Sequence, residues 1–123
     1  GAARAVGLVL PHLEGKLDGA AIRVPTPNVS VVDLCVTTRA EATPDAVTGA
    51  MEAAAQGSLA GILAVEDAPL VSQDFVHAPE SSIYAPAGTH RTEGGLLRVM
   101  AWYDNEWAFA SRMLDTAGAM AAL

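Results

Sequence analysis

The chain has 123 residues, of which 51% are hydrophobic and 17% charged, and it carries a formal net charge of -7. That length suits one domain or part of a larger one, able to bury roughly two-thirds of its unfolded surface, and the composition excludes a disordered chain. The acidic balance argues against a nucleic-acid groove or an anionic membrane as the main partner, so a bound anion needs a local arginine or backbone N–H groups.

A single cysteine, Cys35, cannot form an internal disulfide and favours a reducing compartment. The start, GAARAVGLVL, holds one arginine and a short apolar run ending at Pro11, which is no signal peptide. No apolar run approaches the length of a bilayer span. The expectation is a cytoplasmic protein. The chain opens on Gly1 without a methionine, which suggests a processed chain or a piece of something longer.

In chain order, Val6, Val9, Leu10 and Leu13 repeat at helical spacing, predicting a helix over Ala2–Leu10 that Pro11 stops. Ala20–Val24 reads as a strand, followed by Pro25 and Pro27, which favour extended geometry at the residues before them. Val29–Thr38 is the clearest strand. Val32, Leu34 and Val36 line one face, and Val31, Asp33 and Cys35 the other. Thr43-Pro44 opens a helix to about Gln56, with Thr43 as cap, Pro44 at its first position and Gly57 as the terminating glycine. Ile62–Val65 is a short strand. Leu70–Ile83 reads as extended and polar with a loop near Ala78-Pro79, and Ala85–Gly95 as loop. Leu96–Tyr103 is a buried strand. Glu106–Ala122 is a final helix with Trp107, Ala110, Met113, Leu114, Ala117 and Met120 as its apolar stripe. This order predicts an α+β fold, a mixed and largely antiparallel sheet with helices on one face. The other face, apolar and without helices, is expected to be hidden between subunits.

Cys35 sits among valines with no adjacent histidine, so it reads as a small buried apolar residue rather than a nucleophile. His12, His77 and His90 lie in turns without partners at ligand spacing and read as solvated; no metal site is expected. Glu66-Asp67 reads as a polar turn. Arg23 is a lone cation in an apolar strand, followed at once by Pro-Thr-Pro. A guanidinium carried on such a stiffened segment suits a bidentate grip on phosphate or carboxylate. A salt bridge to Asp33 on a neighbouring strand explains it equally well. Gly1 opens a helix, where free N–H groups attract anions. Asn105 is a good helix cap, in a stretch (WYDNEW) that places Asp-Asn-Glu between two tryptophans.

The run RVPTPNVSVVDL, Arg23–Leu34, together with WYDNEW, Trp102–Trp107, resembles the signature of glyceraldehyde-3-phosphate dehydrogenases. GAARAV, VLPHLEGKLDG, AAQGSLAGIL and PLVSQDF match the same family in the same order, so the resemblance covers essentially the whole chain. It implies the later part of a catalytic domain, 1–123, whose other sheet face lies in a homotetramer interface. The NAD-binding domain, the nucleophilic cysteine and its activating histidine would all lie upstream, and Cys35 does not fall at the nucleophile position. Arg23 matches the arginine that binds the phosphates. Gly1 matches a glycine whose backbone helps hold a phosphate, beside a threonine missing here. Asn105 matches the asparagine that binds the nicotinamide carboxamide.

The resemblance further implies oxidation of glyceraldehyde 3-phosphate with NAD, or NADP, and inorganic phosphate, in glycolysis, by a cytoplasmic enzyme. Two positions depart from the pattern. Ala108 replaces a frequent glycine and adds a methyl near the cofactor position, and Phe109 replaces a tyrosine. The end, SRMLDTAGAMA, is similar to erythrose-4-phosphate dehydrogenase, the sister enzyme for a four-carbon substrate. By itself the chain, lacking nucleophile and base, is expected to show no dehydrogenase activity; the reading from a different class is a non-catalytic fold or assembly module.

Overall fold

The fold is described by a computed structural model covering the backbone of residues 2–123 and the side chains of residues 5–123. Helix α1, Ala2–Val9, runs into a 3-10 turn at Pro11–Leu13. Strand β1 spans Ser30–Thr37 and helix α2 Pro44–Gln56. Strands β2, Leu63–Val65, β3, Ser82–Tyr84, and β4, His90–Arg91, are short; β5, Leu96–Tyr103, is long, and helix α3, Asn105–Ala121, follows it after one residue.

One five-stranded sheet holds the molecule together, in the order β1-β5-β3-β2 with β4 also on β5. β5 pairs antiparallel with β1, β3 and β4, and only β2 and β3 run parallel. The fold is therefore α+β with a mixed, largely antiparallel sheet, as expected from the order of elements.

Register fixes the faces, because paired residues share a side. Val32, Leu34 and Val36 pair with Ala101, Val99 and Leu97, while Val31, Asp33 and Cys35 pair with Trp102, Met100 and Arg98. The alternation read from β1 is thus the real one. Tyr84 lies on the Ala101 side, where its hydroxyl meets Thr48 of α2 at 3.1 Å. Helix α2 therefore covers that face of the short strands.

The opposite face is not the bare apolar surface expected. A 3-10 turn at Ser72–Phe75 lays Phe75 against Trp102, with ring centroids 5.6 Å apart, and Val29, Phe75 and Ile83 form a buried cluster there. A second such turn, Pro86–Gly88, presses Gly88 onto Met100 so closely that an added Cβ would lie 2.6 Å from the sulfur. Further along β5, Arg98 grips both oxygens of Asp33, at 2.7 and 3.0 Å.

Several expected elements differ. Ala20–Val24 is not a strand but an exposed irregular segment. Its residues have no sheet neighbour, and Val24 O instead accepts from Thr26 N at 2.9 Å in a tight turn set by the prolines. Leu70–Ile83 is not mainly extended, because Asp74 turns back to accept from Val71 N and stabilises the 3-10 turn. The Ala85–Gly95 loop contains β4 and the Pro86–Gly88 turn. Thr43 caps α2 as expected, accepting from Ala46 N, but Gly57 ends it at φ -116 rather than in a left-handed conformation. The stripe assigned to α3 is mostly outward: Met113, Leu114 and Met120 are exposed, and the buried residue is Ala108. Only the first half of α3 lies against the body, where Arg112 donates to Gly61 O.

Candidate functional site

Arg23 lies in the irregular segment ahead of β1, fully on the surface. Among the described residues no carboxylate pairs with it. The alternative partner, Asp33, is taken by Arg98, whose guanidinium holds the Asp33 carboxyl below the usual carboxylate value. The salt-bridge explanation of Arg23 therefore fails. Arg23 is instead an exposed guanidinium five positions upstream of Asn28, on a run containing Pro25 and Pro27.

Asn105 is exposed at the first turn of α3, but it is not the cap. Asp104 is: its backbone is extended, at φ -92 and ψ 101, and its Oδ1 accepts from Trp107 N at 3.0 Å. Both residue types cap well, so sequence could not choose between neighbours. The structure frees the Asn105 amide, with two donors and an acceptor, to face outward at a helix start.

Asp104 is the most enclosed polar residue, at 0% exposure. Its Oδ2 accepts two further hydrogen bonds, from Asn28 Nδ2 at 2.8 Å and from His77 N at 2.9 Å. Enclosure alone pushes this carboxyl up; the N–H groups of Trp107, His77, Asn28 and Glu106 more than reverse that, leaving it below the usual value. It is therefore an ionised, fully paired carboxylate.

Both loops that reach Asp104 are strained. His77 has φ 68 and Val29, next to Asn28, has φ 67; among the described residues these are the two non-glycine positions with positive φ. For β-branched valine the left-handed region is a real outlier, and such residues cost of order 1–3 kcal/mol each unless the surroundings impose them. The His77 ring also lies on Trp107, with centroids 4.3 Å apart.

The structure thus ties the loop carrying Arg23 to the helix carrying Asn105. Asn28 and Asp104 join directly, and at most roughly 18 Å of extended chain separates Arg23 from Asn28. No role of their own attaches to Asp104 and Asn28 in the sequence, where His77 reads only as a solvated loop histidine. The first two sit inside the quoted motifs, but nothing local shows that they meet.

Other candidates resolve differently. Gly1 lies outside the described residues. Cys35 is exposed, not buried, on the edge strand β1. His77 is exposed as expected, with its ring tilted 34° against that of Trp107, and His12 and His90 are exposed. No group of three metal-ligating side chains occurs among the described residues. Ala108 is buried, at 4% exposure, while Phe109 is exposed. A shallow cavity of about 380 Å³ between α2 and β2 is lined by Glu52, Gln56, Leu63 and Asp67; its carboxylates repel an anion.

Fold and site define an α+β domain whose candidate binding groups come from a proline-braced loop and a helix start. A family model for the glyceraldehyde 3-phosphate dehydrogenase C-terminal domain matches residues 1–105. The chain is 54% identical, over all of its 123 residues and 37% of the relative, to a glyceraldehyde-3-phosphate dehydrogenase of Cereibacter sphaeroides. It is 54% identical to that of Xanthobacter flavus over the same shares, and 48% identical to that of Geobacillus stearothermophilus over 99% of this chain and 36% of the relative. The chain belongs to the glyceraldehyde-3-phosphate dehydrogenase family, in its C-terminal domain. It spans little more than a third of the length of the curated relatives it matches.

Proposed function

We propose that the chain works as part of a full-length, cytoplasmic glyceraldehyde-3-phosphate dehydrogenase of glycolysis, oxidising the aldehyde phosphate to an acyl phosphate. The relatives are named for the three-carbon substrate, which favours it over erythrose 4-phosphate. The remaining two-thirds supply the NAD-binding domain, the nucleophilic cysteine and its histidine, and the enzyme assembles as a homotetramer.

The observation that carries this reading is the unpaired Arg23 guanidinium on a loop tied, through Asn28 and Asp104, to the helix start bearing Asn105. Arg23 binds phosphate oxygens, of the substrate or of inorganic phosphate, and offsets their charge as the acyl group is transferred. Asn105 fits a nicotinamide carboxamide, because an outward primary amide matches its donor and acceptor in pairs. NAD, or NADP, when bound, would supply the hydride acceptor. Asn105 fixes which way the carboxamide faces, a positioning role. The backbone of Gly1 adds a donor to the phosphate.

A chimera in which this chain replaces the matching stretch of the Cereibacter sphaeroides relative tests the proposal. Arg23→Leu in that chimera should impair use of phosphate and aldehyde phosphate far more than NAD binding. Unchanged kinetics for both phosphate species would refute the role of Arg23. The isolated chain should not reduce NAD with glyceraldehyde 3-phosphate.

A further inference from the structure

Three unrelated segments end on one carboxylate. Asp104 Oδ1 holds the first turn of α3, and Oδ2 holds the Asn28 side chain and the His77 backbone. The two strained non-glycine residues lie at the two Oδ2 donors: His77 is itself one, and Val29 follows the other. Strain of this kind persists only where neighbours over-determine the backbone. A cap alone needs one oxygen and one donor. Asp104 spends its second oxygen on holding two loops in conformations they would otherwise leave.

From this arrangement we infer that Asp104 is a positioning residue: its Oδ2 sets the Arg23 loop in register with the Asn105 helix start, so that phosphate and nicotinamide are held at a fixed separation. The inference rests on the reading of Arg23 and Asn105 given above. Asparagine cannot replace Asp104. Whichever way its amide turns, one NH₂ faces an N–H of Trp107 or the donors of Asn28 and His77. Alanine at Asn28 cuts only the link to the arginine loop.

The test uses the chimera and follows steady-state kinetics alongside amide hydrogen exchange of residues 23–28. Asp104→Asn is expected to lower kcat/KM roughly tenfold or more, raising KM for both phosphate and NAD. Asn28→Ala should raise KM for phosphate while leaving that for NAD within about twofold, a split that simple loss of stability does not produce. Both variants should exchange faster at residues 23–28. A lower melting temperature with both KM values and the exchange rates unmoved would overturn the inference and leave Asp104 as a cap. Should Asp104→Asn fail to fold, Asn28→Ala decides alone, with an unmoved phosphate KM counting against the inference. If Arg23→Leu itself leaves phosphate use intact, the functional reading falls. The exchange measurement still decides whether Asp104 holds the loop.

Discussion

Asn28 and Asp104 lie 76 positions apart and share a 2.8 Å hydrogen bond inside the protein. That bond joins the two stretches of unusual composition, RVPTPN and WYDNEW, into one structural unit. Removing the carboxylate strands the Asn28 and His77 donors, in addition to uncapping α3.

Asp104→Ala should therefore destabilise the fold by about 2–4 kcal/mol, from about 1 kcal/mol for the lost cap and a further 1–3 for unsatisfied buried donors. Thermal melting of the chimera measures it. A change below about 0.5 kcal/mol, the range of ordinary surface substitutions, would contradict the enclosed geometry.

The same carboxyl predicts an acid limb. Its folded pKa lies below its unfolded value of about 3.9, so it binds its proton less readily when folded. Its contribution is complete above pH 4 and is lost as pH falls through the folded value. Melting temperature against pH should fall below about pH 4, and Asp104→Asn should flatten that fall. Asp33, also depressed through its bond to Arg98, adds to the limb and calls for Asp33→Asn as a control.

For Arg23→Leu the expected loss is about 2–4 kcal/mol of transition-state stabilisation, or roughly 30- to 1,000-fold in kcat/KM for the phosphate species. Arg23→Lys should recover part of it, since the charge remains but the bidentate fork does not. Titrating the chimera with inorganic phosphate separates the three proteins.

Gly88→Ala is a prediction about packing. The new methyl would meet the Met100 Sδ at 2.6 Å and its Cβ at 2.9 Å, on the face where a 3-10 turn seals β5. Methionine bends at its end but not at its Cβ, so about 1–3 kcal/mol should be lost. Met100→Ala in the same protein should recover part of that loss if the clash is its cause.

The strands and helices that were legible share one property: their signal is local. β1 alternates, β5 carries a single charge in an apolar run, and Thr43-Pro44 announces α2. Ala20–Val24 has the residues of a strand but no partner edge, and β propensity without a neighbour to bond does not make one. The outward stripe of α3 misled for a related reason. Its periodicity marks an apolar side but not a partner for it: Met113, Leu114 and Met120 are exposed, while Trp107 meets His77 and Ala108 is buried.

The sequence by itself determined the family, the α+β class and the residue types on offer: an arginine ahead of two prolines, and an amide at a helix start. These depend on neighbours within a few positions. Which of Asp104 and Asn105 would cap and which would face outward depended on tertiary structure. So did the release of Arg23 from Asp33, since Arg98 reaches that carboxylate only across a strand pair. Hydrogen bonds between residues 27 to 76 positions apart exist only once the sheet has brought β1 and β5 together, and no local pattern encodes them.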